Sequence, residues 1–137
     1  MLITKQDVRA VAMTLLAQET FDHGAATLDL RTGGGAPKTG FLVSRRDMER
    51  VIPGAEVPDA YTLSVRLGHY VDERPPFVRF VTVYRDPSSG TVYFDSPSHC
   101  ETLPSAVRTA EYNVRPGFWD CLRSEYVPVA SVTGRAA

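Results

Sequence analysis

The stretch FVRFVTVYRDPSSGTVYFD, residues 77 to 95, constrains the fold of this chain more than any other. Two apolar-rich runs, Phe77 to Tyr84 and Thr91 to Asp95, flank RDPSSG, a loop built from residues that favour tight turns. Together they predict a β-hairpin with Val83, Val92 and Phe94 on its core side. The rest of the chain is expected to extend and cover that hairpin.

Upstream, Thr4 and Asp7 resemble a capping box ahead of Val8, Val11, Ala12, Leu15 and Leu16, whose spacing places them on one helix face. A helix to about Glu19 is expected. Phe21 to Gly24 then turns the chain into Ala26, Leu28 and Leu30, which alternate with polar residues as in a half-buried strand. Phe41-Leu42-Val43 is expected to return from it across the glycine-rich stretch as a hairpin partner. Ser44 and Asp47 are expected to start a short helix carrying Met48, Val51 and Ile52, stopped by Pro53-Gly54.

Tyr61, Leu63, Val65 and Leu67 alternate as a strand does, although Pro58-Asp59 would also cap a helix; residues 59 to 68 are expected to be strand. TLPSAVRTAEYN predicts a helix starting near Pro104, with Leu103, Val107, Ala110 and Val114 on one face. Phe118 to Cys121 and Tyr126 to Val129 read as short strands. The expected result is a single α+β domain over residues 1–130, a mixed or mostly antiparallel sheet with helices packed on one face, followed by a flexible tail at 131–137.

Composition narrows the function classes. The chain of 137 residues is 43% hydrophobic and 23% charged, which fits one packed domain rather than a disordered or coiled-coil array. A net charge of −1 offers no global attraction to a polyanion, so a nucleic-acid partner is disfavoured. Only Lys5 and Lys38 among the 15 basic residues are lysine, a skew that codon bias in a GC-rich genome produces. Two cysteines, Cys100 and Cys121, are too few for a disulfide framework and fit a reducing cytoplasm. No run approaches a membrane span, so no membrane association is expected.

The glycine-rich stretch TGGGAPKTG, residues 32 to 40, invites comparison with a phosphate-binding loop because it ends in Lys38-Thr39. Aligned on that dipeptide, Thr32 and Pro37 occupy the two glycine positions, and Pro37 has no N–H to offer a phosphate. FLVS follows where a helix would have to begin. The stretch is therefore read as a protruding hairpin loop, and Gly33, Gly34, Gly35, Pro37 and Lys38, with Arg45 and Arg46, form the candidate partner-binding surface.

His23, His69, His99, Cys100 and Cys121 are metal-ligand types without ligand spacing, so neither a metal nor another cofactor is expected. Asp22, His23, His69 and Cys100 form an alternative set, around which a small enzyme or ligand-binding protein would build a pocket. Asp72 with Glu73, and Asp95 with Glu101, read as solvated acids rather than catalytic pairs. Arg31, Arg45, Arg46 and Arg50 are interrupted by acids and read as a mixed surface, with a nucleic-acid face as the lesser alternative. Tyr61, Tyr70, Phe77, Tyr84, Tyr93, Tyr112, Phe118, Trp119 and Tyr126 supply many aromatics to the C-terminal two-thirds; most are expected in the core, and any two left exposed would make anchors for a protein partner.

The segments DHGAATLDLRTG, GFLVS, LGHYVDE, VYFD, AVRTAEYN and FWD, taken in order, resemble a group of small accessory proteins of actinobacteriophages and actinobacterial mobile elements. The likeness spans about residues 21 to 129, interrupted by PPFVRFVTVYRDPSSGT. It implies a genetic setting rather than a reaction, since that group has no defining catalytic motif. With the absence of a catalytic motif and the neutral charge, it leads to the expectation of a non-enzymatic protein in the host cytoplasm that binds and modulates a host protein, in host takeover or against host defence. The oligomeric state stays open, a homodimer included.

Overall fold

A computed structural model describes residues 5–134, which fold as an α+β protein in which the strands divide between two sheets. Helix α1 (Lys5–His23) leads into β1 (Ala25–Asp29). Then come β2 (Phe41–Val43), β3 (Arg50–Ile52), α2 (Ala60–Asp72), β4 (Phe80–Arg85), β5 (Val92–Asp95) and β6 (Ser98–Cys100). Helix α3 (Leu103–Tyr112), β7 (Gly117–Asp120), β8 (Glu125–Pro128) and the short α4 (Val129–Thr133) complete the order. The first sheet has strand order β1-β4-β5-β3 and the second β6-β2-β7-β8, both antiparallel throughout.

The predicted hairpin is β4 and β5, with Tyr84 opposite Tyr93 and Thr82 opposite Asp95. Its expected core residues Val83, Val92 and Phe94 are buried. Helices α1 and α2 cover that face, packing Met13, Leu16, Leu63 and Leu67 against Leu28, Val81 and Val83. On the second sheet α3 does the same, setting Ala106, Val107 and Ala110 against Val43, Cys100 and Phe118. Each sheet thus has helices on one face. The opposite faces meet through Phe80 of the first sheet, Leu42 of the second and Cys121 in the turn that follows β7.

Several expectations are corrected. Residues 59 to 68 belong to α2: Asp59 caps it by accepting from the Thr62 N–H at 2.8 Å, and Leu63, Leu67, Tyr70 and Val71 are its buried face. Leu63 and Leu67 satisfy both a strand and a helix period, whereas Tyr61 is 78% exposed and contradicts the strand reading. Helix α1 continues past Glu19 to His23, and it turns Met13, Leu16, Ala17 and Thr20 inward while Val11 and Leu15 stay exposed. The expected capping box at Thr4 lies outside the described residues.

The helix expected after Ser44 is a single 3-10 turn, Arg46–Met48, followed by strand β3. Val114 falls beyond α3, exposed and at φ 55°. Strands β1 and β2 are not a hairpin: they lie in different sheets, and the glycine-rich stretch is the link between them. Of the expected tail, residues 131 to 133 close α4, which Gly134 ends in the left-handed conformation, and residues 135–137 lie outside the described residues.

Candidate functional site

The alternation that buries one face of each sheet under helices sends the remaining side chains toward the other sheet. On the first sheet these form successive rows across the strands: Asp29 beside Phe80, then Thr27, Thr82 and Asp95, then Ala25, Tyr84 and Tyr93. On the second sheet one row runs His99, Leu42, Trp119, Tyr126. Where Phe80 meets Leu42 and Cys121 the sheets close on each other. Away from that contact they leave a cleft of about 550 Å³, lined from the first sheet by Ala25, Thr27, Thr82, Tyr84 and Asp95, and from the second by Leu42, Ser44, Trp119 and Tyr126.

Its volume lies in the range of ligand pockets, about 300–1,000 Å³, and its walls are mostly apolar. Three aromatic side chains flank it, and each stays about half exposed: Tyr84 at 49%, Trp119 at 42% and Tyr126 at 54%. Trp119 and Tyr126 are cross-strand neighbours, and Tyr126 lies over Gly117, where any side chain would collide with its ring. Asp95 is the one charged side chain of the lining. Burial pushes its carboxyl above the ordinary aspartate range, against hydrogen bonds donated by the Ser44 hydroxyl and by the backbone N–H groups of Arg45 and Ser96. No histidine, cysteine or lysine lines this cleft. The set holds a ligand by π faces, methyl groups, hydroxyls and one carboxyl.

The residues singled out by sequence are distributed elsewhere. His23 ends α1, whereas His69 sits in the last turn of α2 beside the start of α1, where Arg9 pairs with Asp72 at 2.9 Å. The two histidines are therefore at opposite ends of the helix pair. Cys100 is buried under α3, its thiol 3.5 Å from the Thr109 hydroxyl, and Asp22 accepts from Gln18 on α1 at 3.0 Å. His69 lines two clefts of the molecule, and neither contains Asp22, His23 or Cys100. No group of three His, Cys, Asp or Glu among the described residues is placed to hold a metal ion.

In the glycine-rich link, Gly33, Gly34, Gly35 and Lys38 are exposed and Pro37 half-buried, and Ala36 reaches the rim of the inter-sheet cleft. The first part is closed by backbone hydrogen bonds, Gly33 N–H to the Asp29 carbonyl and Asp29 N–H to the Gly34 carbonyl, both 2.8 Å. Arg45 and Arg46 line a separate cleft with Phe77, Ser98, Tyr112 and Asn113. There the Arg45 guanidinium donates to Ser98 at 2.8 Å and lies 5.0 Å from the Phe77 ring centre. Arg31 and Arg50 belong to two further clefts, Arg50 paired with Glu73 at 3.2 Å, so the four arginines do not share one face.

Sequence reasoning named Tyr84, Trp119 and Tyr126 only among nine aromatics, without the means to tell which of them would flank a cleft. It set Asp95 aside as a solvated acid. The one available signal was its alternation with Val92 and Phe94, which turns it away from the helices. No helix among the described residues is long and apolar enough to cross a membrane. Comparison of the chain with protein-family models, with curated proteins and with solved structures returns no match.

Proposed function

We propose that this protein acts by binding another protein, and that the inter-sheet cleft is where it takes hold. The observation that carries the reading is the trio Tyr84, Trp119 and Tyr126, about half exposed around an apolar hollow of about 550 Å³. Aromatic side chains at the mouth of a preformed pocket are the residues on which interface energy concentrates. Strands β1 and β8 stand at the edges of their sheets beside the cleft and add unpaired backbone groups that an extended segment of a partner can meet. The setting implied by the resemblance to actinobacteriophage accessory proteins makes a host protein the partner, bound without chemical conversion and modulated by occupancy.

Affinity capture from an actinobacterial lysate at moderate and high salt tests this, comparing the wild type with Trp119→Ala, Tyr126→Ala and an Arg45→Ala/Arg46→Ala double variant. A stoichiometric protein that survives high salt, is lost from the first two variants and is kept by the third supports the cleft. Loss from the arginine variant alone moves the binding surface to the Arg45 and Arg46 cleft. Capture of nucleic acid that washes off with salt removes the reading altogether.

A further inference from the structure

We propose that the anchor taken into the inter-sheet cleft is a cationic side chain, a lysine ammonium or an arginine guanidinium, presented by the partner protein. This rests on the reading of the cleft as the partner-binding site. The charge of the lining points one way, because Asp95 is its sole charged side chain. Two arginines close to Asp95 are committed elsewhere: the Arg45 guanidinium donates to Ser98 and lies against Phe77, and Arg115 pairs with Glu49 at 2.6 Å.

Asp95 Oδ1 accepts from the Arg45 backbone N–H at 3.2 Å, with Ser44 and Ser96 beside the carboxyl, while a carboxylate offers about four acceptor positions. That leaves room for one more donor from the cleft. Geometry sets its approach. The row holding Asp95 lies one step inward of the row holding Tyr84, toward the closed end at Phe80. A long cationic side chain entering past Tyr84, Trp119 and Tyr126 therefore lays its methylenes against aromatic rings and brings its head to the carboxylate.

An acidic anchor would meet Asp95 as a like charge. A purely apolar one would shut water away from a carboxylate and supply no donor in return, which costs free energy. Of these three, the cationic anchor alone uses both the rings and the acid.

Trp119 is the single tryptophan of the chain and stands in the cleft wall, so its fluorescence reports occupancy of the full-length protein directly. The probes are blocked tripeptides, Gly-Xaa-Gly, with lysine, arginine, norleucine or glutamate at the centre. The lysine and arginine peptides are expected to bind about tenfold more tightly than norleucine, and glutamate not at all. Asp95→Asn is expected to reduce the cationic peptides to the norleucine level, and Tyr84→Leu, which keeps an apolar wall without the ring, to weaken them severalfold.

Norleucine binding as tightly as lysine, or an Asp95→Asn protein that keeps the preference, overturns the inference while leaving the cleft as an apolar anchor site. It is overturned equally if no peptide perturbs Trp119 although Trp119→Ala still loses the captured partner. A chain that runs as a dimer with Trp119 shielded from acrylamide also overturns it, since a second copy then fills the cleft.

Discussion

Arg79 donates through both Nε and Nη2 to one oxygen of Asp29, Oδ2, at 3.2 and 2.9 Å, joining positions 50 apart in the chain. The other oxygen accepts from the backbone N–H groups of Arg31 at 2.9 Å and Thr32 at 3.4 Å, so one buried carboxylate ties the end of β1 both to the approach to β4 and to the glycine-rich link. Burial alone would raise this carboxyl, but the hydrogen bonds from Arg79, Arg31 and Thr32 and the charge of Arg79 outweigh it and hold Asp29 below the ordinary 3.8. Its contribution to stability is therefore present above 3.8 and lost as pH falls through the depressed value. Because Arg79 is partly exposed and screened, Asp29→Asn is expected to cost only about 1 kcal/mol in urea unfolding at neutral pH. The gap to wild type should shrink as the pH is lowered into the acid range, and a gap that does not change with pH would show that charge plays no part.

Asp95 has the opposite sign. Its carboxyl is raised by burial, so the folded state binds its proton more tightly than the unfolded chain, and that stabilising contribution is complete below 3.8 and lost as pH rises through the folded value. Asp95→Asn keeps an acceptor for Ser44, Arg45 and Ser96 and removes the buried charge. The variant is expected to melt at or above the wild-type temperature at neutral pH and to show less decline between acid and neutral pH. Thermal melts of both proteins across that range check this, and a variant that melts well below wild type at neutral pH contradicts it.

How far the fold could be read from sequence depended on whether each signal was local. The β4 and β5 hairpin was legible because its turn, its alternation and its buried residues fall within one short stretch. Helix α3 was legible because Thr102 and Pro104 mark its start, with the Thr102 hydroxyl accepting from the Ser105 N–H at 3.3 Å. In α2 the pattern was degenerate, since Leu63 and Leu67 fit both periods, and the cap at Asp59 was the one local cue that favoured a helix over the strand expected there. The division into two sheets was not legible: Gly33 to Gly35 resemble a hairpin turn, whereas β1 finds its partner in β4 and β2 finds partners in β6 and β7. Since the cleft exists only between those sheets, which aromatics flank it and why Asp95 is half-buried were hidden with it.

Tyr70 links α2 to the segments that lead into β3 and out of β5. Its buried hydroxyl lies 2.7 Å from the Met48 carbonyl, to which it donates, and 2.7 Å from the Ser96 hydroxyl. Ser96 adjoins Asp95, so this bond also steadies the floor of the cleft. Tyr70→Phe leaves the ring packed against Phe94 and strips a buried carbonyl and a buried hydroxyl of their partner. A loss of about 1–3 kcal/mol in chemical denaturation is expected, with an unchanged dependence on denaturant. A variant as stable as wild type would show that both groups find other partners.

Gly117 supplies the last test, because its bare backbone is what allows Tyr126 to lie against it at the cleft mouth. A Cβ there would overlap the Tyr126 ring and come within 2.6 Å of the Val127 carbonyl oxygen, which belongs to the neighbouring strand and cannot swing away as a side chain can. Gly117→Ala must therefore both displace the ring and strain the β7 and β8 pair, at a cost of about 1–3 kcal/mol. Gly117→Ala combined with Tyr126→Ala relieves the ring overlap but not the backbone contact, so it should recover only part of that loss. Trp119, directly opposite Tyr126 across the two strands, reports the ring's movement as a shifted emission maximum in the single variant. Unchanged stability together with unchanged Trp119 emission would mean that Tyr126 does not rest on Gly117 in solution, and the aromatic wall on that side of the cleft would have to be redrawn.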